Sequence, residues 1–207
     1  MPKAIQAKGK DTQKAKAKVK QVIKKKSTKA QKKYQAAPIQ RETFTLNNGC
    51  KMPKVGFGTS LVEGGAEFFR KVVMEYGYRH LDTASRYGNE EEVGEALQAC
   101  FKAGIKREEL FITTKLNFAD KNDVVKGLRD SLKRLKLSYV DMYLIHWMRP
   151  EIDFKTMEIK SPPLHVVWKG MEKCVDLGLT KGIGVSNCTY PLLVDLLAGC
   201  RIKPAVN

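Results

Sequence analysis

The sequence lacks any run of about eighteen apolar residues, and no apolar segment follows its N-terminal charges, which argues against a membrane span and a secretory leader. Paired cysteines are missing too. Cys50, Cys100, Cys174, Cys188 and Cys200 are odd in number, widely spaced and without a C-x-x-C pair, so they indicate neither a disulfide framework nor a zinc site. That usage fits a reducing compartment, and an intracellular, cytoplasmic protein is expected. Glycine-rich phosphate loops are absent as well. Gly56-Phe57-Gly58-Thr59-Ser60 is too short for a dinucleotide fingerprint and no G-x-x-x-x-G-K-[ST] occurs, which disfavours Rossmann dehydrogenases and P-loop NTPases.

Charge is abundant, but its distribution decides what it means. Residues 1–40 hold thirteen Lys, no Arg and one acid, Asp11, a net +12 that leaves only +4 of the chain's +16 for residues 41–207. The body therefore carries the charge of an ordinary soluble domain. The first segment, as in KAKAKVKQVIKKKSTKAQKK, has too few large apolar residues to offset its ordering entropy and is expected to be disordered when free. Its lysines suit nonspecific contact with nucleic acid or an acidic surface through phosphate neutralisation. A mitochondrial or nuclear destination stays open, although the absence of Arg weakens a presequence and Lys24-Lys25-Lys26 alone is a weak nuclear signal.

From residue 41 the composition becomes that of one folded domain, 41–207. Asn47-Asn48-Gly49 between two short extended runs predicts a hairpin. Strands are then expected near 55–57, 79–82, 110–115, 139–145, 179–185 and 203–206, alternating with helices over 65–76, 89–103, 121–135, 163–176 and 189–198; a long polar loop is expected around 148–161. In NEEEVGEALQACFKAG, Val93, Ala96, Leu97 and Cys100 recur at helical spacing, and the acids occupy the first turn, where the helix dipole favours them. YVDMYLIHW is apolar almost throughout, as a parallel strand covered on both faces should be. Alternation alone leaves a doubly wound sheet and a closed barrel equally open.

Titratable side chains stand at the C-terminal ends of successive apolar strands: Asp82, Lys115 and His146, with Tyr87 five residues beyond the first. In a parallel barrel those ends share one rim, so distant residues converge there. The stretches LDTASRYGNEEEVGEAL (81–97), LFITTKL (110–116), LIHW (144–147) and GIGVSN (182–187), in this order and spacing, resemble the signatures of the aldo-keto reductases from about Thr43 to Asn207.

That resemblance implies an α/β fold, the (β/α)8 TIM barrel of the aldo-keto reductase type, incomplete at about six of eight units. It also implies reduction of aldehydes or ketones by hydride transfer from NADPH, giving NADP+, with Asp82, Tyr87, Lys115 and His146 as the catalytic set. Tyrosine keeps its proton at neutral pH, its ordinary pKa being about 10, and can give it to a developing alkoxide. Lys115 would stabilise the phenolate left behind, Asp82 would keep that ammonium charged and oriented, and His146, neutral, would orient the substrate carbonyl. By the same resemblance, Gly58, Thr59, Asp82, Ser186 and Asn187 would border the cofactor, and Trp147 would wall the substrate beside Tyr87 and His146; no metal is implied. The sequence departs from the pattern at Ser60 and Asn117, where aromatics are frequent, and at Met148-Arg149 after His-Trp.

Family members continue past the point matched by Asn207 with a glutamine near the cofactor, two further βα units and a basic loop for the adenosine phosphate. Six strands alone would leave open edges. The alternative expectation is therefore a catalytically inactive barrel remnant that binds a partner through its lysine-rich segment.

Overall fold

The computed structural model describes residues 42–150 and 152–207. The disorder and the anionic partners expected for residues 1–40 lie outside the described residues. A hairpin comes first: β1 (Thr43–Thr45) pairs antiparallel with β2 (Lys51–Pro53). The Asn48 side chain shapes its turn by accepting from the Cys50 N–H at 3.1 Å.

Strand and helix then alternate as β3 (Phe57–Gly58), α1 (Gly65–Met74), β4 (His80–Asp82), α2 (Glu90–Lys102), β5 (Phe111–Leu116), α3 (Val124–Leu135) and β6 (Val140–Ile145). After a small hairpin of β7 (Ile152–Asp153) and β8 (Glu158–Ile159) come α4 (Leu164–Asp176), β9 (Thr180–Val185) and α5 (Tyr190–Gly199). The main sheet is parallel throughout, in the order β3-β4-β5-β6-β9. Each strand lies beside its predecessor and the order never reverses. A doubly wound sheet reverses at a switch point, whereas a barrel adds strands in sequence, so the order decides for the barrel.

Period two sorts the side chains. Leu81, Ile112, Leu116, Tyr143, Ile145, Ile183 and Val185 point to the helices, packing with Phe69, Val93, Leu97, Leu128, Leu132, Trp168 and Met171. The alternate positions point inward, where Phe111, Met142 and Leu144 meet Leu46 and Met52 of the hairpin and Ala205 and Val206 near the chain end. The hairpin thus lies across the N-terminal ends of the strands. Asn48 donates to Lys181 O at 3.2 Å and Asn47 to Pro204 O at 3.0 Å. Gly182 permits this approach, since a Cβ there would lie 2.5 Å from Asn48 Nδ2.

Three expectations need correction. The run 203–206 is not a strand: Ala205 N–H bonds Ile183 O and Val185 N–H bonds Val206 O, but that pairing keeps no regular register and Pro204 has no N–H to extend it. It still covers part of the outer edge of β9. The polar loop 148–161 contains the β7–β8 hairpin, whose turn is set by Asp153 Oδ1 accepting from Lys155 N–H at 2.9 Å. Helix α3 starts at Val124 rather than near 121, because Asp123 caps it through Lys126 N–H at 3.0 Å, and residues 118–120 form a separate 3-10 turn capped by Asn117. No described helix is long and apolar enough to cross a membrane.

Candidate active site

Asp82, Lys115 and His146 fall on inward-facing positions of three adjacent strands: Asp82 ends β4, Lys115 is next to last in β5, and His146 follows β6. The pairings Asp82↔Thr113 and Lys115↔Leu144 set each group two residues farther along its strand than the one before. The three therefore climb one wall of the sheet at its C-terminal rim. Tyr87 joins them from the 3-10 turn Ser85–Tyr87, which leaves β4 and closes at Gly88 with φ 73°, a left-handed exit that favours glycine.

The lysine is the hub. Its Nζ donates to the Asp82 carboxylate, to Thr83 O at 3.0 Å and to the Tyr87 phenolic oxygen at 3.1 Å. Lys115 is buried, so its ammonium needs these partners, and all three of its N–H bonds are satisfied within this one cluster. The His146 ring meets the Tyr87 ring edge-on at 5.5 Å, and Trp147 stacks on His146 at 6.3 Å. Burial, followed by the cations Lys115 and Arg86, pushes the His146 imidazole down to about 4, so it is neutral near pH 7. Its Nδ1 is buried without a hydrogen-bond partner among the described residues. A neutral imidazole beside an ammonium-bound phenol can orient a carbonyl oxygen while the phenol gives it a proton.

The groups expected at the cofactor divide. Gly58 borders open space, since nothing lies within 4 Å of where a Cβ would be. Thr59 stands behind it, fully buried, its N–H on Asp82 O at 3.0 Å and its carbonyl accepting from Asn89 Nδ2 at 2.7 Å. Ser186 and Asn187 follow β9 on the same rim. Asn187 sits at φ 54° and donates from Nδ2 to His146 O at 2.8 Å and to Ser186 Oγ at 3.1 Å. Its amide N–H groups are thus engaged, and what the pair can offer a carboxamide is Asn187 Oδ1 and the Ser186 hydroxyl.

A supporting network was not foreseen. Glu90, at 1% exposure, accepts from Thr114 Oγ1 at 2.5 Å and from Arg134 Nε at 2.8 Å, and Arg134 Nη2 donates to Ser85 Oγ at 3.0 Å. The pair ties the Tyr87 turn to the strand that carries Lys115. Glu90 and Ser85 lie within the recognised stretch 81–97, but Arg134 is 44 residues from Glu90 and no spacing rule links them.

At the opposite end, a cleft of about 490 Å³ opens between the hairpin and the strand starts, lined by Lys51, Arg79, Glu108, Glu109, Asp141 and Lys181 among others. Buried Asp141 there accepts from Arg107 Nη2 at 2.7 Å, Lys181 Nζ at 2.9 Å and Ile112 N–H at 2.9 Å, which accounts for it structurally. Among the described residues no cluster of His, Cys, Asp or Glu suits a metal ion.

Comparison with known proteins points one way. The model of the aldo/keto reductase family matches residues 54–207. Aldo-keto reductase family 4 member C11 of Arabidopsis thaliana is 42% identical over 172 residues, which covers 79% of this chain and 55% of the relative. The NADP-dependent D-sorbitol-6-phosphate dehydrogenase of Malus domestica is 40% identical over 182 residues, 80% of this chain and 58% of the relative. A Bombyx mori aldo-keto reductase crystallised in complex with NADP superposes with a TM-score of 0.74 at 34% identity, covering 82% of this chain and 58% of that one. The chain thus spans little more than half the length of the relatives it matches.

Proposed function

The chain belongs to the aldo/keto reductase family, with the incomplete (β/α)8 barrel that its strand order shows, and from that premise we propose that it acts as an NADP(H)-dependent carbonyl reductase with Tyr87 as the general acid. The observation that carries the reading is Lys115 Nζ held between the Asp82 carboxylate and the Tyr87 oxygen. A cation fixed against a phenol lowers the cost of the phenolate formed when the proton leaves.

A reduced nicotinamide, when bound, supplies the hydride. The chain's own residues do the rest: Tyr87 delivers its proton to the carbonyl oxygen, Lys115 stabilises the resulting phenolate, and Asp82 keeps Lys115 charged and aimed. His146, neutral, orients the carbonyl, and Trp147, 40% exposed and stacked on it, offers a flat wall to the substrate. The open space over Gly58 and the polar ends of Ser186 and Asn187 suit a nicotinamide carboxamide and its ribose. Two relatives support the cofactor: the Malus dehydrogenase is NADP-dependent and the Bombyx structure contains NADP. The complete Asp82–Lys115–Tyr87 cluster favours an enzyme over a binding remnant, since a buried ammonium is costly to retain without use. A cytoplasmic location goes with this reading, motivated by five unpaired cysteines, and cell fractionation checks it.

The test is NADPH oxidation with 4-nitrobenzaldehyde, run on this chain and on a form extended by the remaining barrel units of a relative. Tyr87→Phe should lower kcat by about 10²–10⁴-fold with binding retained. An extended form that folds and binds NADPH but turns over equally with Phe at position 87 would sink the assignment.

A further inference from the structure

At the mouth of the site stand two arginines that the proton-transfer chemistry does not use. Arg149 and Arg86 are both exposed, and neither forms an ion pair with a described carboxylate. The acid beside the reacting groups, Asp82, is already paired with Lys115.

Arg149 is held in place. Its guanidinium lies 5.0 Å from the Phe118 ring centre and 6.0 Å from that of Trp147, and its backbone oxygen accepts from Lys121 Nζ at 2.6 Å. Phe118 is itself fixed, because Asn117 Oδ1 accepts its N–H at 2.8 Å and starts the turn that carries the ring. A guanidinium resting on aromatic rings keeps its N–H edge free, and that edge matches carboxylate and phosphate geometry with little entropy left to lose. Arg149 neighbours Trp147, Trp147 neighbours His146 and His146 neighbours Tyr87, at 6.0, 6.3 and 5.5 Å. A carbon skeleton lying on Trp147 would have one end at Tyr87 and His146 and the other at Arg149. Arg86 adjoins Tyr87 in its 3-10 turn and adds a second cation to the same mouth.

We propose that this site selects carbonyl compounds that carry a carboxylate or phosphate at the end away from the reacting C=O, with Arg149 as the principal anion receptor and Arg86 in support. The inference rests on the reading of Tyr87 and His146 as the carbonyl end, and adds the charge of the substrate's other end.

Calorimetry on the full chain with NADP+ present, so that no reduction occurs, tests it with three probes: 4-carboxybenzaldehyde, its neutral methyl ester and 4-formylphenyl phosphate. At low salt an anionic probe should bind about tenfold more tightly than the ester, and the preference should shrink as salt rises. Arg149→Gln should bring the ratio to within about twofold, while Arg149→Lys should keep part of it, since the charge stays and the stacked fork is lost. Whether carboxylate or phosphate binds better identifies the anion, and either result above the ester supports the proposal. Equal binding of acid and ester, a ratio unchanged in Arg149→Gln, or no binding of any probe would overturn it. Unchanged urea midpoints in these surface variants establish that the fold is intact. Selective anion binding without turnover in the extended form would count against the reductase reading alone, and equal kcat/KM for acid and ester would count against this one alone.

Discussion

Replacing Arg134 with Met removes one partner of a buried pair and leaves the other in place. Glu90 is 1% exposed, whereas the Arg134 side chain is 32% exposed, so the two deletions are not symmetric. Stranding a buried carboxylate costs about 3–5 kcal/mol, and the partial exposure of Arg134, which lets some water follow, puts the expected loss near the lower end, at about 3 kcal/mol. Glu90→Gln should cost less, about 1–2 kcal/mol, because it leaves a neutral amide that still accepts from Thr114 and an arginine that can reach solvent. The double variant should then recover part of the Arg134→Met loss. Urea unfolding followed by the fluorescence of buried Trp168 gives the four free energies of the cycle. An Arg134→Met variant within about 0.5 kcal/mol of the parent, or a double variant no more stable than Arg134→Met, would refute the argument that buried Glu90 depends on its partner.

The imidazole of His146, pushed down to about 4, should titrate far below the ordinary histidine range in an NMR pH series, and a midpoint near 6.5 would contradict its burial. Because the fold favours the neutral ring, the unfolded chain binds the extra proton between about pH 4 and 6.5. Stability should therefore fall as pH drops through that window, with burial of His80 acting in the same direction. His146→Asn should flatten part of that slope in urea midpoints measured against pH. Gly94→Ala would place a Cβ 2.4 Å from Arg134 O in the next helix, so despite the better helix propensity of alanine it should cost about 1–3 kcal/mol, read as a lower Tm. Gly199→Ala, with nothing within 4 Å, serves as the neutral control.

What the sequence discloses and what it hides separate along physical lines. Strands β5 and β6 are buried at every position, and the nearly continuous apolar run of β6, broken only by Asp141, made it legible. The face of α2 that meets the sheet is the one its spacing marked, Val93, Ala96, Leu97 and Cys100. Period two then carried Asp82, Lys115 and His146 to one rim, so the candidate site could be read as a set. The β7–β8 hairpin could not, because two-residue strands are too short for any periodicity and a single Asp153 turn decides them. Nor could the run 203–206, whose extended pattern meets a proline where a ladder needs a donor. Arg134 and Arg149 escaped for a different reason: their importance lies in partners set by packing between elements, which no local pattern records.

The asparagines of the N-terminal hairpin reach carbonyls that lie 157 and 133 residues further along the chain. Neighbour-to-neighbour strands can be laid down one unit at a time, and Leu46 and Met52 can seat on β5 and β6 once those are paired, but the two asparagine bonds wait for β9 and the segment behind it. The last contacts of the earliest described strands are therefore expected late, and protection of the Asn48 neighbourhood from hydrogen exchange should report that assembly has reached its far side.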